Sequence, residues 1–354
     1  MRAARFHGQG DIRVEEVPEP RVAAPDDVLL RVHWCGICGT DLHEYAVGPI
    51  VTPTSPHPLT GAVLPQTLGH EFSATVVEVG ADVRDVSPGD RVSVMPAIVC
   101  GRCRYCRRGY GHLCERFACT GLSAETGGLA EHAVVKDYQV ARVPDEVSDI
   151  EAAVVEPAAV AAYGVDRAGV TGGDTVLVTG AGPIGVLSAM YASAVGAGLV
   201  VVAEPNPARA QLARDLQLGE VVDPTADGFD EVVSDLTDGA GFDVGVECSG
   251  TTPGLQTCLT NVSRRSTVVQ TGLHTRPATI DAMALAENEV TLVGSWCYRL
   301  TDWPRIIRLI AKGSYPVARA VTAQIDLADV VTAGFDRLVD PTGDQLKVLV
   351  SAAR

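Results

Sequence analysis

The chain has 354 residues, which suggests two domains at the usual size of about 100–200 residues per domain. Its hydrophobic fraction of 46% is typical of a globular protein and excludes disorder. The formal net charge of −16 argues against a nucleic-acid partner, because proteins bind phosphate backbones mainly through Lys and Arg. This charge instead suits a small substrate that is neutral or cationic.

The first residues lack the apolar stretch of a secretory signal peptide, so we expect a cytoplasmic protein. The uncharged stretch 175–203 is long enough to span a bilayer, but it contains five glycines and a proline. Its pattern predicts strand, glycine loop, helix and strand, and a parallel-sheet unit is uncharged because both its faces are covered. We therefore expect no membrane association. In a reducing compartment, the ten cysteines favour metal binding over disulfides.

Residues 1–156 show short strand patterns separated by turn signals, which predicts a β-rich domain with strands that include 28–32, 73–79 and 91–94. From 157 to 296 strands and helices alternate, which predicts an α/β domain with a doubly wound parallel sheet. Its strands are predicted at 175–179, 200–204, 221–223, 242–248, 266–271 and 290–294, with helices at 184–195 and 207–216. In the last segment, 297–354, we expect a helix at 302–312, a strand at 347–350 and a return to the first domain.

A Gly-x-Gly-x-x-Gly motif, Gly180-Ala-Gly182-Pro-Ile-Gly185, follows a predicted strand and opens a predicted helix. In this context the first glycine makes the turn, the second lets the backbone approach a pyrophosphate, and the third lets helix pack on strand. Glu204 ends the next strand, where a carboxylate accepts hydrogen bonds from the ribose hydroxyls and repels a 2′-phosphate. Arg209 would partly offset that repulsion. The motif predicts a dinucleotide site, and Glu204 predicts that this site favours NAD over NADP.

Four closely spaced cysteines, Cys100, Cys103, Cys106 and Cys114, match the spacing of a tetrahedral zinc site. A four-thiolate site leaves no position for substrate, so we expect this zinc to be structural. Five arginines in the same segment would compensate its charge: Arg102, Arg104, Arg107, Arg108 and Arg116. The alternatives are a zinc-ribbon nucleic-acid module, disfavoured by the acidic chain, and disulfides or unliganded cysteines. Cys119 lies outside the spacing and is expected in the core.

A second metal site is predicted from Cys38 and His70, which are suitable zinc ligands on separate loops. Glu71 and Glu156 are both candidates for the remaining protein ligand. Catalytic zinc keeps three protein ligands and leaves one position for water or substrate. A lone His-Glu pair is more often structural, but here the motif Cys35-Gly-Ile-Cys-Gly-Thr-Asp41 precedes it and a cofactor domain follows.

Over nearly its whole length the chain resembles the zinc-dependent medium-chain alcohol dehydrogenases, and within them the 2,3-butanediol dehydrogenase branch. The general match is carried by Gly36-Ile-Cys-Gly-Thr-Asp-Leu-His43, Gly69-His-Glu71, the four-cysteine loop, Val155-Glu-Pro-Ala-Ala159 and Gly180–Gly185. The match to the branch is carried by His33-Trp-Cys-Gly36, Asp41-Leu-His-Glu-Tyr45 and the proline-rich insert that ends at Gly61. The resemblance implies a GroES-like β-rich catalytic domain and a Rossmann cofactor domain. One departure is Arg264-Arg-Ser266, where the family usually has a Gly-Gly turn.

The resemblance also implies roles for single residues. Zinc would make the substrate hydroxyl acidic, Thr40 would receive its proton, and the nicotinamide ribose would pass that proton to His43 and solvent, while hydride goes to the nicotinamide. Glu156 would contact zinc or its water, and Tyr45 would line the substrate pocket. Further residues would lie along the cofactor: Pro183, Ile184, Arg209, Thr271, Gly272, Leu273, Trp296 and Tyr298. His57, in the insert, is expected to be structural.

The implied activity is NAD-dependent interconversion of vicinal diols and hydroxyketones, such as 2,3-butanediol, acetoin and diacetyl, with two zinc ions per subunit. The alternatives are a sorbitol-type polyol dehydrogenase and an L-threonine 3-dehydrogenase, which would have to bind a zwitterion. A binding protein on a dehydrogenase fold would be expected to have lost Cys38, His70 or the glycine loop, and all are present. A homodimer or homotetramer is expected from the resemblance alone.

Overall fold

The computed structural model describes residues 1–340, 343 and 345–352, and the chain divides into two compact units. The first unit comprises Met1–Glu156, Arg299–Gly313 and Val321–Arg354, and the second comprises Pro157–Tyr298 and Ser314–Ala320. The uncharged stretch 175–203 forms a strand, a helix and a strand, as predicted. Among the described residues, no helix has both the length and the apolar character needed to cross a membrane.

The N-terminal part is rich in strands, and it contains the predicted strands at 28–32, 73–79 and 91–94. Its elements are β1 (Arg2–Gly8), β2 (Asp11–Glu16), β3 (Asp27–Gly36), α1 (Gly39–Val47), β4 (Gln66–Thr67), β5 (Glu71–Val79), β6 (Arg91–Val94), β7 (Ala97–Ile98), β8 (Ala118–Cys119), β9 (His132–Lys136) and β10 (Val140–Arg142). Strands β3 and β5 lie side by side and antiparallel, with Gly36 opposite Glu71. This register brings the end of the strand that precedes Cys38 next to the strand that follows His70.

The middle of the chain alternates helices and strands, and its bounds match the predictions within a few residues at most. The elements are α2 (Asp149–Ala168), β11 (Thr175–Thr179), α3 (Pro183–Ala194), β12 (Leu199–Ala203), α4 (Pro207–Asp215), β13 (Glu220–Val222), α5 (Phe229–Leu236), β14 (Phe242–Glu247), α6 (Thr252–Asn261), β15 (Val262–Gln270), α7 (Ala282–Glu287) and β16 (Thr291–Gly294). All six strands are parallel, in the order β13-β12-β11-β14-β15-β16. The predicted doubly wound sheet is therefore confirmed.

The last part of the chain contains α8 (Trp303–Ala311), β17 (Val321–Asp326), α9 (Asp336–Val339) and β18 (Lys347–Ser351). Helix α8 buries Trp303, Ile306, Ile307 and Ile310, a spacing that lines one helical face. Strand β18 inserts between β3 and β17, antiparallel to β3 and parallel to β17. The predicted C-terminal strand therefore completes the main sheet of the first unit, where its first residue, Lys347, is buried.

Candidate functional site

Cys38, His70 and Glu71 form a compact cluster in the first unit. Their ligand atoms, a sulfur, an imidazole nitrogen and a carboxylate oxygen, all lie within 4.8 Å of one another. Cys38 immediately precedes α1, and Glu71 begins β5 directly after His70. Three donors of these types suit a zinc ion that keeps a fourth position open. The structure thus brings together three of the four residues predicted for the catalytic metal.

Asp41 connects two of these ligands from the first turn of α1. One carboxylate oxygen accepts the Cys38 backbone N–H at 2.9 Å, and the other lies 3.5 Å from His70 Nδ1. With Nδ1 facing a carboxylate, Nε2 is the nitrogen left for a metal, the usual arrangement of metal-bound histidine. His70 Nδ1 and Asp41 Oδ1 are both buried, and neither atom has a closer hydrogen-bond partner. The Asp41 Oδ1 oxygen is therefore left to pair with His70 Nδ1.

The charges in the cluster are strongly coupled. Burial raises the pKa of the Cys38 thiol, and the Glu71 carboxylate raises it further. Burial by itself lowers the pKa of His70, but the Asp41 carboxylate and Cys38 outweigh it and raise the pKa well above its ordinary value. Because a metal binds the thiolate and the neutral imidazole, a cation placed here would displace protons from both ligands.

Glu71 also belongs to a buried ion pair. Lys347 Nζ lies 2.7 Å and 2.9 Å from the two carboxylate oxygens and donates to the Ile37 carbonyl at 3.1 Å. The lysine and glutamate side chains are 2% and 1% exposed. Burial alone lowers the pKa of Lys347, but the charges of Glu71 and Cys38 outweigh it and raise it. The candidate third ligand thus has a cationic partner that the sequence did not reveal.

The structure places the other predicted residues of this site as follows. Glu156 is buried but does not belong to the three-ligand cluster, although its charge contributes to the pKa of Lys347. Thr40 Oγ1 lies 4.0 Å from Cys38 Sγ, and His43 follows three residues later in α1, on the same side of the helix. Tyr45 packs against Phe335 and donates its hydroxyl to Asp336. Its polar atom therefore has a protein partner.

The four cysteines predicted to hold the structural zinc also lie close together. The ligand sulfurs of Cys100, Cys103, Cys106 and Cys114 lie within 4.8 Å of one another, and all four thiols are free. Backbone N–H groups donate to three of these sulfurs, as expected where thiolates are stabilised for a metal. Such bonds from Cys106 and Glu115 lower the pKa of Cys103 to about 6. The five arginines are exposed, and Cys119 is buried, as predicted.

The glycine loop of the second unit has the geometry that its motif predicts. Gly180 has φ of +93°, which makes the turn between β11 and α3. A side chain at Gly185 would lie 1.8 Å from the Gly180 carbonyl oxygen, so only glycine allows this helix to start here. Gly182 precedes α3 and has open space in front of it. The N–H groups at the start of α3 can therefore meet a phosphate.

Glu204 lies directly after β12, where its carboxylate accepts hydrogen bonds from two backbone N–H groups. The donors are Ala181, in the glycine loop, at 2.7 Å and Asn206 at 2.8 Å. Glu204 lines a cavity of about 460 Å³ together with Gly180, Gly182 and Arg209. The predicted adenosine-side residues therefore line one cavity, and Glu204 also holds the loop in place.

A second cavity in the same unit, of about 550 Å³, contains Thr271, Gly272, Leu273 and Trp296, whereas Tyr298 is buried and does not line it. Its walls depend on Glu247, which ends β14. The Glu247 carboxylate accepts hydrogen bonds from the Ser249 and Gly250 N–H groups and pairs with His274 at 3.1 Å. Its carbonyl oxygen accepts the N–H groups of Thr271 and Gly272. Glu247 thus fixes two loops at the carboxyl end of the sheet.

Comparisons with known proteins agree with this architecture. Residues 24–145 match the alcohol dehydrogenase GroES-like domain, and residues 183–312 match the zinc-binding dehydrogenase domain. The chain therefore belongs to the zinc-dependent medium-chain alcohol dehydrogenases, with the GroES-like and Rossmann-type domains that the sequence predicted.

Within this family the similarity is to butanediol dehydrogenases. The (R,R)-butanediol dehydrogenases of Bacillus subtilis and Neisseria gonorrhoeae are 37% and 36% identical, over 99% of this chain and of theirs. A crystal structure of the 2R,3R-butanediol dehydrogenase from B. subtilis matches with a TM-score of 0.91 at 36% identity, covering 99% of both chains. An L-threonine 3-dehydrogenase of Mesorhizobium japonicum is 34% identical over 92% of both chains. A Sinorhizobium meliloti zinc-binding dehydrogenase solved with NADP has a TM-score of 0.86 at 31% identity, covering 99% of this chain and 98% of that one.

Three residues of these sites received no role from the sequence alone. Asp41 stands inside a motif that was recognised, and its spacing from Cys38 was the available signal. Glu247 is the last but one residue of the strand predicted at 242–248, and the end of a strand is a common position for a functional carboxylate. Lys347 is a single cation at the start of an apolar strand, and nothing local links it to Glu71, which is 276 residues away.

Proposed function

We propose that this protein is an NAD-dependent zinc enzyme that interconverts 2,3-butanediol and acetoin and also reduces diacetyl. The observation that carries the proposal is the cluster of Cys38, His70 and Glu71, whose three different donor atoms lie within 4.8 Å of one another. Full-length similarity to butanediol dehydrogenases supports the substrate class. The alternative substrates are a polyol and L-threonine. L-threonine is included in the test below because an L-threonine 3-dehydrogenase is among the relatives.

The metal ligands in this proposal are Cys38, His70 and Glu71, with Glu156 as a buried acid outside the set. A zinc ion held there would supply Lewis acidity to a substrate hydroxyl. Cys38 contributes a negative sulfur, and Asp41 keeps His70 in the orientation and tautomer that leave Nε2 for the metal. Asp41, His70 and Glu71 are buried, which keeps water from them and strengthens their interactions.

For the proton, we assign Thr40 Oγ1 as the first acceptor and the His43 imidazole as the group that passes the proton to solvent. The 4.0 Å separation of Thr40 Oγ1 from Cys38 Sγ supports the first assignment. The partial exposure of His43, on the same side of α1, supports the second. Each group would act as a general acid or base, a role that requires hydrogen-bond reach of the proton it transfers.

For the cofactor, we propose NAD rather than NADP. The buried Glu204 carboxylate faces the cavity where the adenosine ribose would lie, and its charge would repel a 2′-phosphate. Arg209 lines the same cavity, which would leave NADP a weaker alternative. Thr271, Gly272, Leu273 and Trp296 would line the nicotinamide side.

Two further features belong to the proposal. The four-cysteine cluster would hold a structural zinc ion, since four thiolates complete a tetrahedral site and exclude substrate. The subunits would form a homodimer or homotetramer. The support for this is strand β16, which lies at one edge of the parallel sheet and exposes Thr291 and Leu292, because an unpaired strand edge favours association.

The proposal is tested by initial rates of NAD⁺ reduction with R,R-, S,S- and meso-2,3-butanediol, sorbitol and L-threonine. Each substrate is assayed with and without a chelator, and the zinc content is measured on the same samples. We expect chelator-sensitive turnover of a butanediol isomer and two zinc ions per chain. Faster turnover of sorbitol or threonine would refute 2,3-butanediol as the substrate but would leave the proposed zinc mechanism unchanged. No turnover of any of them with both zinc ions bound would refute the substrate class.

A further inference from the structure

Lysine is rare in this chain, since its 28 basic residues comprise 25 arginines and 3 lysines, Lys136, Lys312 and Lys347. Lys347 is the buried one, and its three ammonium hydrogens have three acceptors. Two are the oxygens of Glu71, and the third is the Ile37 carbonyl. A buried ammonium is stable only with such partners, and Glu71 is the carboxylate that pairs with it.

The same carboxylate belongs to the metal-ligand cluster. One Glu71 side chain would therefore contact two cations, the Lys347 ammonium and a bound metal ion. A carboxylate that is hydrogen-bonded through both oxygens to an ammonium offers less negative charge to a metal. Without the ammonium, the Glu71 carboxylate would offer its whole negative charge to a metal held beside it by Cys38 and His70. Such a ligand would hold the metal more firmly, and by binding through both oxygens it would also occupy the position left for a substrate oxygen.

We propose that Lys347 is a positioning residue that keeps Glu71 a weak, exchangeable ligand of the catalytic metal. Lys347 thereby keeps a coordination position accessible to the substrate oxygen and leaves the metal more electrophilic. The inference rests on the proposed function, because it requires a metal at Cys38, His70 and Glu71. It assigns to a residue of the C-terminal strand a part in metal reactivity that does not involve contact with substrate.

The test uses the cobalt-substituted full-length protein, because the visible absorption of Co²⁺ reports its coordination. Lys347→Met removes the ammonium and keeps most of the apolar stem. Lys136→Met is the matched control, since Lys136 pairs with Asp26 and Asp27 in the same unit, away from the cluster. We expect Lys347→Met to change the cobalt spectrum without substrate, to slow removal of metal by a chelator at least tenfold, and to lower kcat at least tenfold. The control leaves all three unchanged.

A second pair of variants separates this role from general support of the fold. In a Glu71→Gln background there is no carboxylate for Lys347 to restrain, so adding Lys347→Met leaves the metal-release rate and the cobalt spectrum unchanged. The double variant has no unpaired buried charge, whereas Glu71→Gln alone leaves the Lys347 ammonium without its carboxylate, so both are first checked for native circular dichroism. A further change of release rate or spectrum in this background would overturn the proposal.

The remaining outcomes are also distinct. If Lys347→Met folds, and its spectrum and metal-release rate equal those of the unmodified protein, Lys347 does not act on the metal and the inference is wrong. If the unmodified protein binds one metal per chain, and Cys103→Ser abolishes it, the cluster of Cys38, His70 and Glu71 holds none. That result refutes the proposed function itself and this inference with it.

Discussion

Replacement of Glu204 by glutamine tests both the structural and the cofactor role of this carboxylate. The carboxylate accepts N–H groups of Ala181 and Asn206 at 2.7 and 2.8 Å and is 5% exposed. Glutamine keeps the shape and one acceptor, but its NH₂ group faces the other N–H donor. Hydrogen bonds to buried charges contribute about 1.5–3 kcal/mol each, so we expect Glu204→Gln to lower the free energy of unfolding by about 2 kcal/mol. In a unit of this size that corresponds to roughly 4–8 °C in the melting temperature.

The same substitution removes the negative charge that would oppose a 2′-phosphate, while Arg209 remains in the cavity. We expect the ratio of kcat/KM for NAD over NADP to fall by about tenfold or more, which corresponds to about 1.4 kcal/mol of lost discrimination. The assay is steady-state kinetics with each cofactor at a fixed, saturating diol concentration, together with calorimetric melting. Glu220→Gln is the control, because Glu220 is exposed on the neighbouring strand β13. An unchanged melting temperature and an unchanged cofactor ratio in Glu204→Gln would refute the reasoning.

The remaining predictions concern metal, core and pH. Cys38→Ser lowers kcat at least about 100-fold with the circular dichroism unchanged, because it removes a metal ligand; near-normal turnover would contradict this. Cys103→Ser loses one zinc and melts at a lower temperature before diol turnover falls, as zinc analysis and calorimetry will show. Tyr315→Phe lowers the free energy of unfolding in urea by about 1–3 kcal/mol, since its buried hydroxyl donates to two carbonyls. Burial raises the pKa of Asp27, but Lys136 and two backbone N–H groups outweigh it, so the folded pKa is lowered. Its stabilisation is present above the ordinary carboxyl pKa and is lost as the pH falls through the folded value, so Asp27→Asn reduces the acid dependence of unfolding below about pH 4.

The sequence predicted well those parts of the fold that local patterns determine. The six parallel strands were found because buried strands are uninterrupted apolar runs, as in Val176-Leu-Val178. Helix α2 was not predicted, although it is 20 residues long, because it carries Pro157 inside an alanine- and valine-rich run without clear periodicity. Strand β17 was missed for a similar reason, since Val321–Asp326 is short and only partly buried.

The candidate sites show the same division between local and long-range information. The glycine loop and the four cysteines are each encoded within 15 residues or fewer, so spacing alone predicted them. The metal cluster joins Cys38 to His70 across 32 residues and was found because both stand in recognisable motifs. The sequence could not show which of Glu71 and Glu156 lies close to Cys38 and His70, because either acid has the chemistry of a ligand. The pairing of Lys347 with Glu71 depends on sheet register, which no local pattern encodes.

The position of β18 has a consequence for how the protein is made. Strand β3 emerges from the ribosome more than 300 residues before β18, its neighbour in the finished sheet. Until β18 has been synthesised, β3 lacks that partner and Glu71 lacks the ammonium of Lys347. The parallel sheet of the second unit, from Thr175 to Gly294, is complete before then and can fold first. The strands that are translated earlier are thus the last to complete their sheet, together with the ion pair of Glu71 and Lys347.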